Sequence, residues 1–355
     1  MKKFIPLLLF LAACSDSDSN FDGGNQPPVS SDAKLVVVNQ GSYYDGIDGA
    51  LTTIDLKTGE TFTDAFSTNN GGISLGGSPQ AATLANGKIY VPAFDSNVLW
   101  IIDATTNKVA DMLTVTYPYM VVVEQGKIFV SCNDGYVNCY DEATLELIER
   151  TEVGPNPCHM AVVGEKLYVS ISDGYNYPTY ENGYRIAELN ISDASLLGYI
   201  DVEMNPGQLC ASKNGSIYAV CRGDYGAIAS KVLKVNPVEK NYTYVCEGSY
   251  IALASDRLYV IHSATDWTTY ETHNYYKTYS LATDSLLSDN FLSDVPLPAM
   301  PNSIQCNAAD EVFITSNAAL YDYTSPGYLY HYAADGSHRA TYSVGVAPCG
   351  VVFVE

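Results

Sequence analysis

Tyrosines are the residues in this sequence best suited to contact a ligand. The chain has 29 Tyr among 355 residues, against 2 Trp. A Tyr ring gives a large contact area at low entropic cost and keeps a hydrogen-bonding hydroxyl. Many of these rings fall between predicted strands, where folding does not require them. We therefore expect ligand contacts from Tyr43, Tyr44, Phe94, Tyr136, Tyr177, Tyr225, Trp267, Tyr270, Tyr275, Tyr276 and Tyr321. The alternative is that these rings pack the loops against one another.

The sequence gives little indication of a catalytic site. The sequence has no HExxH motif, and no Ser, His and Asp that its repeats would bring together. The five histidines are scattered, at positions 159, 262, 273, 331 and 338. We therefore expect a protein that is not an enzyme and has no metal site or catalytic cofactor.

The cysteines divide into Cys14 and eight others in the body of the chain. An even number in an exported chain allows disulfides. Cys132 and Cys139 flank a predicted hairpin turn, and so do Cys210 and Cys221. A hairpin bond in each is plausible, and the pairing of the other four is not assignable. No pair has the CxxC spacing of a metal knuckle, so we interpret all eight as structural.

The start of the chain is predicted to be a targeting segment rather than part of the fold. Lys2 and Lys3 precede an apolar run, and residues 1–13 have the pattern of a signal peptide. Residues 11–14, Leu-Ala-Ala-Cys, resemble the lipobox of bacterial lipoproteins, which implies lipid attachment at Cys14. The acidic, Ser-rich residues 14–32 are interpreted as a flexible tether. The expected location is the outer membrane, lipid-anchored and exposed at the cell surface.

The net charge excludes one class of partner. The chain carries 40 acidic against 18 basic residues, a formal charge of -22. Such a field repels phosphate backbones, so nucleic acid is not an expected partner. The charge itself is typical of a soluble surface.

A repeated unit organises residues 33–355. Apolar triplets follow hairpin turns at intervals of 39 to 54 residues, from Ile89 to Val312, and a Pro-x-x anchor precedes most of them. A period of about 40–50 residues with several strands per unit is typical of β-propellers. The last anchor, Pro348, precedes a single strand, and the missing strands begin at Leu35. The sequence therefore predicts an all-β, seven-bladed β-propeller whose last blade is closed by the N- and C-terminal strands.

The propeller geometry predicts which positions meet. The loop between the second and third strands of each blade emerges at the same face as the start of the next blade's first strand. The predicted loops are 39–49, 93–97, 133–135, 172–184, 222–229, 262–276 and 316–327. Near the central axis we therefore place Gln80, Tyr119, His159 and Asn302 as binding residues, with Arg222 from a loop. The axial set contains no Asp or Glu, which argues against a propeller hydrolase with a central metal.

The Tyr-Val triplets, the Asp- or Asn-ended third strands and the Pro-x-x anchors resemble the YncE-like seven-bladed propellers. With the lipobox, the acidic tether and the Tyr-rich loops, the chain resembles the BtuG-type surface lipoproteins of Bacteroidetes within that family. The resemblance implies capture of vitamin B12 (cobalamin or other corrinoids) and transfer to a TonB-dependent outer-membrane barrel of the BtuB kind. Surface glycan binding is the alternative function, since Tyr rings also stack on sugars.

Overall fold

The structure, a computed structural model, describes residues 34–266, 268–269, 271–292 and 296–354. The predicted signal peptide, the tether, the lipidation site Cys14 and the rings of Trp267 and Tyr270 lie outside the described residues. The regular structure is almost entirely β, as predicted. The exceptions are the short helix α1 (Ala65–Asn69) and a single 3₁₀ turn (Gly174–Asn176).

The described strands form seven antiparallel sheets of four strands each, which are the blades of the propeller. Blade 1 contains β1 (Lys34–Asn39), β2 (Ala50–Asp55), β3 (Thr61–Phe62) and the closing strand β28 (Pro348–Val354). Blade 2 contains β4 (Thr83–Ala85), β5 (Lys88–Ala93), β6 (Val98–Asp103) and β7 (Val109–Thr114). Blade 3 contains β8 (Pro118–Glu124), β9 (Lys127–Cys132), β10 (Tyr136–Asp141) and β11 (Leu147–Glu152).

The remaining four blades repeat the same order from the innermost to the outermost strand. Blade 4 contains β12 (Pro157–Val163), β13 (Lys166–Ile171), β14 (Arg185–Asn190) and β15 (Leu196–Asp201). Blade 5 contains β16 (Pro206–Ala211), β17 (Ile217–Cys221), β18 (Lys231–Asn236) and β19 (Asn241–Glu247). Blade 6 contains β20 (Tyr250–Leu253), β21 (Arg257–Asp266), β22 (Glu271–Ser280) and β23 (Leu286–Ser288). Blade 7 contains β24 (Met300–Cys306), β25 (Val312–Asn317), β26 (Pro326–Tyr332) and β27 (His338–Val346).

The blades close into a ring. Each innermost strand contacts the innermost strand of the next blade, and β28 contacts both β24 and β4. Strand β28 pairs antiparallel with β1, so that Leu35 lies opposite Phe353 and Val37 opposite Val351. The predicted seven-bladed fold and its closure by the terminal strands are confirmed. Closure leaves no free inner edge on blade 1, where another chain could add a strand.

The core lies between adjacent blades rather than in one central mass. Both faces of a blade pack against a neighbour, so the middle strands are apolar almost throughout, as in β17, whose five residues are all buried. The outermost strands meet solvent on one side, and β7 alternates half-buried and exposed residues. Phe313 and Leu329 of blade 7 pack with Leu35 and Phe353 of blade 1. Burial of apolar surface on both faces of every blade is the main stabilising contribution.

The predicted hairpin disulfides are wrong. All eight described cysteines are free thiols. In the β9–β10 hairpin, Cys132 lies opposite Tyr136 and Cys139 lies opposite Phe129. Positions 129 and 132 are three residues apart, so the two thiols are about 10 Å apart along the strand and point to opposite sides of the sheet.

The same offset separates the other predicted pair. Cys210 lies opposite Tyr218, three positions from Cys221. Strand register, which a spacing rule ignores, is the physical reason for both errors.

One predicted loop is also wrong. Residues 262–276 do not form a long loop, because β21 and β22 continue as a paired hairpin as far as Asp266 opposite Glu271. Exposed and half-buried residues alternate along β22 from Glu271 to Tyr275, as expected for a two-stranded ribbon that projects from blade 6. Tyr275 and Tyr276 are therefore strand neighbours that point to opposite sides of the ribbon.

Candidate functional site

The residue before five of the six anchor prolines, all except Pro301, fixes the start of the innermost strand. These residues have a left-handed backbone: Ser78, Tyr117, Asn156, Asn205 and Ala347, with φ between 44° and 59°. Left-handed backbone at residues other than glycine costs about 1–3 kcal/mol and persists only where neighbours hold it.

The neighbours that hold this backbone are the loops after the second strands. The carbonyl of each of these residues accepts a hydrogen bond from the backbone N–H of the residue just after the second strand. Arg222 N–H donates to Asn205 O at 2.9 Å, and Ser172 N–H donates to Asn156 O at 3.2 Å. Strand starts and second-to-third-strand loops therefore lie at the same end of the ring, which we call the loop face.

A bulge follows most of the anchor prolines. In blade 3 the register shifts between Pro118 and Met120, so Tyr119 has no partner on β9. The buried Ser131 hydroxyl accepts the N–H of Met120 at 3.2 Å and so compensates for the lost ladder bond. Bulges turn side chains out of the regular alternation and are common next to binding sites. Here the bulge directs Tyr119 toward the centre of the loop face.

The bulge in blade 4 shows that His159 and Tyr119 do not occupy equivalent positions in their blades. In blade 4 the shift covers Cys158 and His159, and Met160 pairs with Val169. Cys158 is therefore the equivalent of Tyr119, and His159 is the second residue of its bulge. The Ser170 hydroxyl accepts the N–H of His159 at 3.1 Å.

A cavity of about 190 Å³ opens among blades 3, 4 and 5 on the loop face. It contains four of the predicted binding residues, Tyr119, His159, Arg222 and Tyr225. Its other lining residues are Asn133, Cys158, Ser172, Gly174, Tyr180, Asn205 and Gly207. We call this cavity the central pocket.

Some of these additional residues carry a detectable signal in the sequence. Asn stands before the anchor proline in two successive repeats, at positions 156 and 205. Tyr180 lies in a predicted loop. Nothing in the sequence marks Ser172 or Cys158 as pocket residues, because their exposure depends on where the bulge falls.

Arg222 is the cation of the central pocket. Its guanidinium lies 5.6 Å above the ring of Tyr250, and a Cβ on Gly207 would stand 3.1 Å from its Nε. Gly207 is therefore needed for the close passage of this side chain. Among the described carboxylates, none forms an ion pair with Arg222, whereas Arg150 pairs with Asp134 at 2.9 Å.

His159 is held as a neutral imidazole. Its ring meets that of Tyr119 edge to face, with centroids 5.6 Å apart. Burial, with a further contribution from the nearby Arg222 charge, lowers the pKa of His159 to about 3. Burial also raises the pKa of Tyr119. At neutral pH the pocket therefore offers one cation, neutral hydroxyls and a neutral imidazole.

Exposed tyrosines lie on the loop face, in loops of blades 1, 4, 5 and 7 and on the ribbon of blade 6. The side chains of Tyr43, Tyr44, Tyr177, Tyr225, Tyr275 and Tyr321 are all exposed, from 44% at Tyr321 to 96% at Tyr44. The loops of blades 4 and 5 approach each other, since Tyr225 and Tyr177 both act on Tyr180, whose pKa is raised to about 12, first by burial. These contacts place the tyrosine-bearing loops of two consecutive blades side by side on the loop face.

Five other predicted residues are engaged by the protein itself. Tyr276 is buried and its hydroxyl donates to Pro298 O at 3.3 Å, so this ring is held by the protein. The amide of Asn302 donates to Asn317 Oδ1 and Pro348 O, and that of Gln80 donates to Ser78 O.

The bond to Pro348 O joins the inner strands β24 and β28, so Asn302 supports the ring. The Gln80 bond is local to the connection that precedes blade 2. Phe94 is half-buried, with its ring 5.4 Å from that of Tyr117. Tyr136 is covered by the Arg150 guanidinium, 3.4 Å from its ring centroid.

A serine motif of hydrolases occurs in the sequence but not in its catalytic context. Residues 72–76 read Gly-Ile-Ser-Leu-Gly. In hydrolases this pentapeptide forms a sharp turn between a strand and a helix. Here it follows α1 and precedes no helix, and the Ser74 hydroxyl donates to the Asp48 carboxylate. The segment is an exposed connection between blades 1 and 2.

No group of three or more His, Cys, Asp or Glu side chains that could hold a metal ion occurs in the described part of the chain. In the same residues, no helix has the length and apolar character needed to cross a membrane.

Comparison with known proteins identifies a family and a fold. The family model "Domain of unknown function (DUF5074)" matches residues 35–285. No curated protein matches the sequence.

Solved structures with the same fold include three from bacteria. A quinonprotein alcohol dehydrogenase-like protein from Bacteroides thetaiotaomicron is 14% identical, with a TM-score of 0.66 over 91% of this chain and 78% of that one. Hydrazine synthase from Kuenenia stuttgartiensis is 13% identical, with a TM-score of 0.62 over 77% and 88%. Apo AztD from Citrobacter koseri is 12% identical, with a TM-score of 0.55 over 91% and 98%. At these identities the likeness concerns the fold alone.

Proposed function

This chain belongs to the DUF5074 family, a domain of unknown function, and we propose that it captures corrinoids, vitamin B12 among them, on the loop face of its propeller. The observation that carries the proposal is the set of exposed tyrosines on the loop face, where the central pocket also opens. A monomeric protein rarely leaves so many rings uncovered on one face unless a ligand or partner covers them.

The chemistry of a corrinoid matches this surface. Its ring is broad and carries amide groups along its edge, so Tyr rings can pack on the faces while their hydroxyls bond the amides. A neutral ligand is not repelled by the net charge of -22. The proposal is also supported by the resemblance of the N-terminal segment and repeats to BtuG-type lipoproteins.

The resemblance extends the proposal to location and partner. We propose a lipid anchor at Cys14 that holds the propeller at the outer face of the outer membrane. A TonB-dependent barrel of the BtuB kind then takes the corrinoid from the loop face. The acidic residues 14–32 provide a hydrated tether between the lipid and the first blade.

Retention of cyanocobalamin tests the proposal directly. The purified protein is mixed with an excess of cyanocobalamin, desalted, and examined by visible absorption. We expect the protein fraction to stay red with about one corrinoid per chain. A colourless protein at micromolar concentrations of both components would overturn corrinoid capture.

Glycan binding is the alternative outcome for the same surface, because exposed Tyr rings also stack on sugar faces. Retardation in gels that contain soluble polysaccharides would identify it. A protein that stays colourless with corrinoid and is retarded by a glycan belongs to that second class.

A further inference from the structure

Arg222 places a cation in the central pocket of a strongly acidic protein. The chain carries 22 more acidic than basic residues. Arg150 pairs with Asp134, and Arg257 pairs with Asp256 at 2.8 Å. The guanidinium of Arg222 has no carboxylate partner among the described residues, and it is half-buried at the axis of the loop face. A partly buried cation without a counter-ion is costly unless a ligand supplies one.

The surroundings of Arg222 suit an anion. None of the residues that line the central pocket is an Asp or a Glu. Burial raises the pKa of Tyr119, so its hydroxyl stays protonated at neutral pH and is available as a donor. The Tyr225 side chain lines the same pocket. His159 adds a neutral imidazole N–H. An incoming anion therefore meets donors and one positive charge in the pocket, although the molecule as a whole repels it.

A hydrogen-bond acceptor without a partner lies in the same pocket as these donors. The side-chain oxygen Oδ1 of Asn133 is buried and has no partner in the structure, and Asn133 lines the same pocket. Native proteins leave few such groups unpaired, and an orphaned group beside a cavity is explained by a missing ligand or water. The pocket thus combines an unused acceptor with an unused cation.

The size of the pocket limits what it can take. Pockets that enclose a whole drug-sized ligand measure about 300–1,000 Å³. The central pocket, at about 190 Å³, is smaller. It can take one substituent of a large ligand, while the body of that ligand lies outside on the exposed tyrosines.

We propose that the central pocket is a subsite for an anionic phosphodiester group, bound by the Arg222 guanidinium with help from the Tyr119 and Tyr225 hydroxyls. The inference rests on the proposed function, since cobalamin carries one such group in its nucleotide loop. Guanidinium binds phosphate oxygens through two parallel hydrogen bonds, which gives orientation as well as affinity. The linker on one side of this phosphodiester carries an amide N–H, which suits the unused oxygen of Asn133.

A comparison of two corrinoids tests the subsite. Cyanocobalamin carries the phosphodiester, and dicyanocobinamide has the same ring without it. We expect Arg222→Gln to weaken cyanocobalamin binding tenfold or more, measured by isothermal titration calorimetry, and to change dicyanocobinamide binding less than twofold. Arg222→Lys, which keeps the charge but loses the paired donors, should be intermediate for cyanocobalamin. Equal effects of Arg222→Gln on both corrinoids, or no effect on either, would overturn the subsite.

A matched control separates a local effect from a change in overall charge. Arg257→Gln removes an arginine from the turn end of blade 6, far from the loop face, and should leave both affinities unchanged. Thermal unfolding of Arg222→Gln within about 2 °C of the parent shows that the variant is folded.

A second probe separates failure of the subsite from failure of corrinoid capture. If the parent binds neither corrinoid, the proposed function is wrong and the subsite is tested with dimethyl phosphate alone. Line broadening of its ³¹P signal by the parent chain and not by Arg222→Gln would then sustain an anion subsite. No broadening by the parent would overturn it. A parallel titration with acetate shows whether the pocket prefers phosphodiester or carboxylate.

Discussion

At the scale of single residues, the loop face depends on which rings are exposed and which are held by the protein. Tyr275 and Tyr276 are adjacent in the chain, yet Tyr275 is exposed and Tyr276 is buried with its hydroxyl on Pro298. The alternation of side chains along β22 makes this difference. Composition identifies a tyrosine-rich face, and strand register selects the rings that a ligand can reach.

Tyr225 is the exposed ring closest to Arg222 in the chain and lines the central pocket. We expect Tyr225→Ala to weaken cyanocobalamin binding by about 1–3 kcal/mol, because an aromatic anchor at the centre of an interface is lost. Isothermal titration calorimetry measures the change. Tyr244→Ala is the matched control, since Tyr244 is equally exposed but lies on the outer strand β19 of the same blade. Equal losses in the two variants would contradict a role for the loop face.

His159 predicts a dependence of stability on pH. Its pKa of about 3 in the folded chain lies below the unfolded value of about 6.5. Between these values the unfolded chain binds a proton that the folded chain does not, so the free energy of unfolding falls as the pH decreases from about 6.5. We expect His159→Gln to lose less stability than the parent between pH 7 and pH 4, in urea titrations at each pH. An unchanged pH slope would contradict burial of a neutral imidazole.

At the scale of elements, the joints between blades combine apolar contacts with a few buried polar ones. Glu188 of β14 is fully buried and its carboxylate accepts hydrogen bonds from Lys166 of blade 4 and from Lys240 of blade 5, the latter at 2.8 Å. Burial alone would raise the pKa of Glu188, but the two ammonium groups outweigh it and the pKa is lowered. The carboxylate thus ties two consecutive blades together.

The substitution Glu188→Gln tests how much these ion pairs stabilise the joint between blades 4 and 5. We expect a loss of about 1–3 kcal/mol in the free energy of unfolding at pH 7, because hydrogen bonds to a charged group become weaker neutral ones. The folded pKa is below the unfolded value of about 4.3, so this contribution is present above pH 4.3 and fades as the pH falls through the folded pKa. The difference from the parent should therefore shrink between pH 5 and pH 3. Exposed Glu152→Gln on β11 is the control and should change stability by less than 0.5 kcal/mol.

The anchor prolines work at the same scale. A left-handed residue precedes five of the six, and together with the bulge that follows most of them it fixes where the loop lies against the neighbouring strand. This repeated device explains why residues from three blades, Tyr119, His159 and Arg222, meet in one pocket. Side chains that are far apart in the chain are therefore brought together by a left-handed residue and a bulge that recur from blade to blade.

At the scale of the whole molecule, stability depends on closing the ring. Phe353 of β28 packs edge to face on Phe313 of blade 7, with centroids 5.0 Å apart, and lies opposite Leu35 of β1. We expect Phe353→Ala to lower the free energy of unfolding by about 3–5 kcal/mol, since it leaves a cavity at the joint between the first and last blades. Urea unfolding followed by Tyr fluorescence measures the loss. Phe62→Ala, an exposed ring on the outer strand of blade 1, should cost far less.

Much of this architecture could be predicted from the sequence. The even spacing of apolar triplets and the single strand after Pro348 predict seven blades and their closure, because each repeat can bury its faces only against other repeats. The concentration of tyrosines between second and third strands also predicts one rich face, since propeller topology places all those loops at the same end. Local composition and period determine these features.

Only the tertiary structure decided which residues form the site. The thiols of Cys132 and Cys139 are separated by register, Tyr276 is turned into the core by its place on a strand, and Asn302 is used to bond the neighbouring blade. The central pocket depends on bulges and left-handed residues that let Arg222 approach Tyr119 and His159. These outcomes depend on the pairing of one strand with the next, where a shift of one residue reverses the direction of every side chain. The repeat pattern in the sequence does not contain that information.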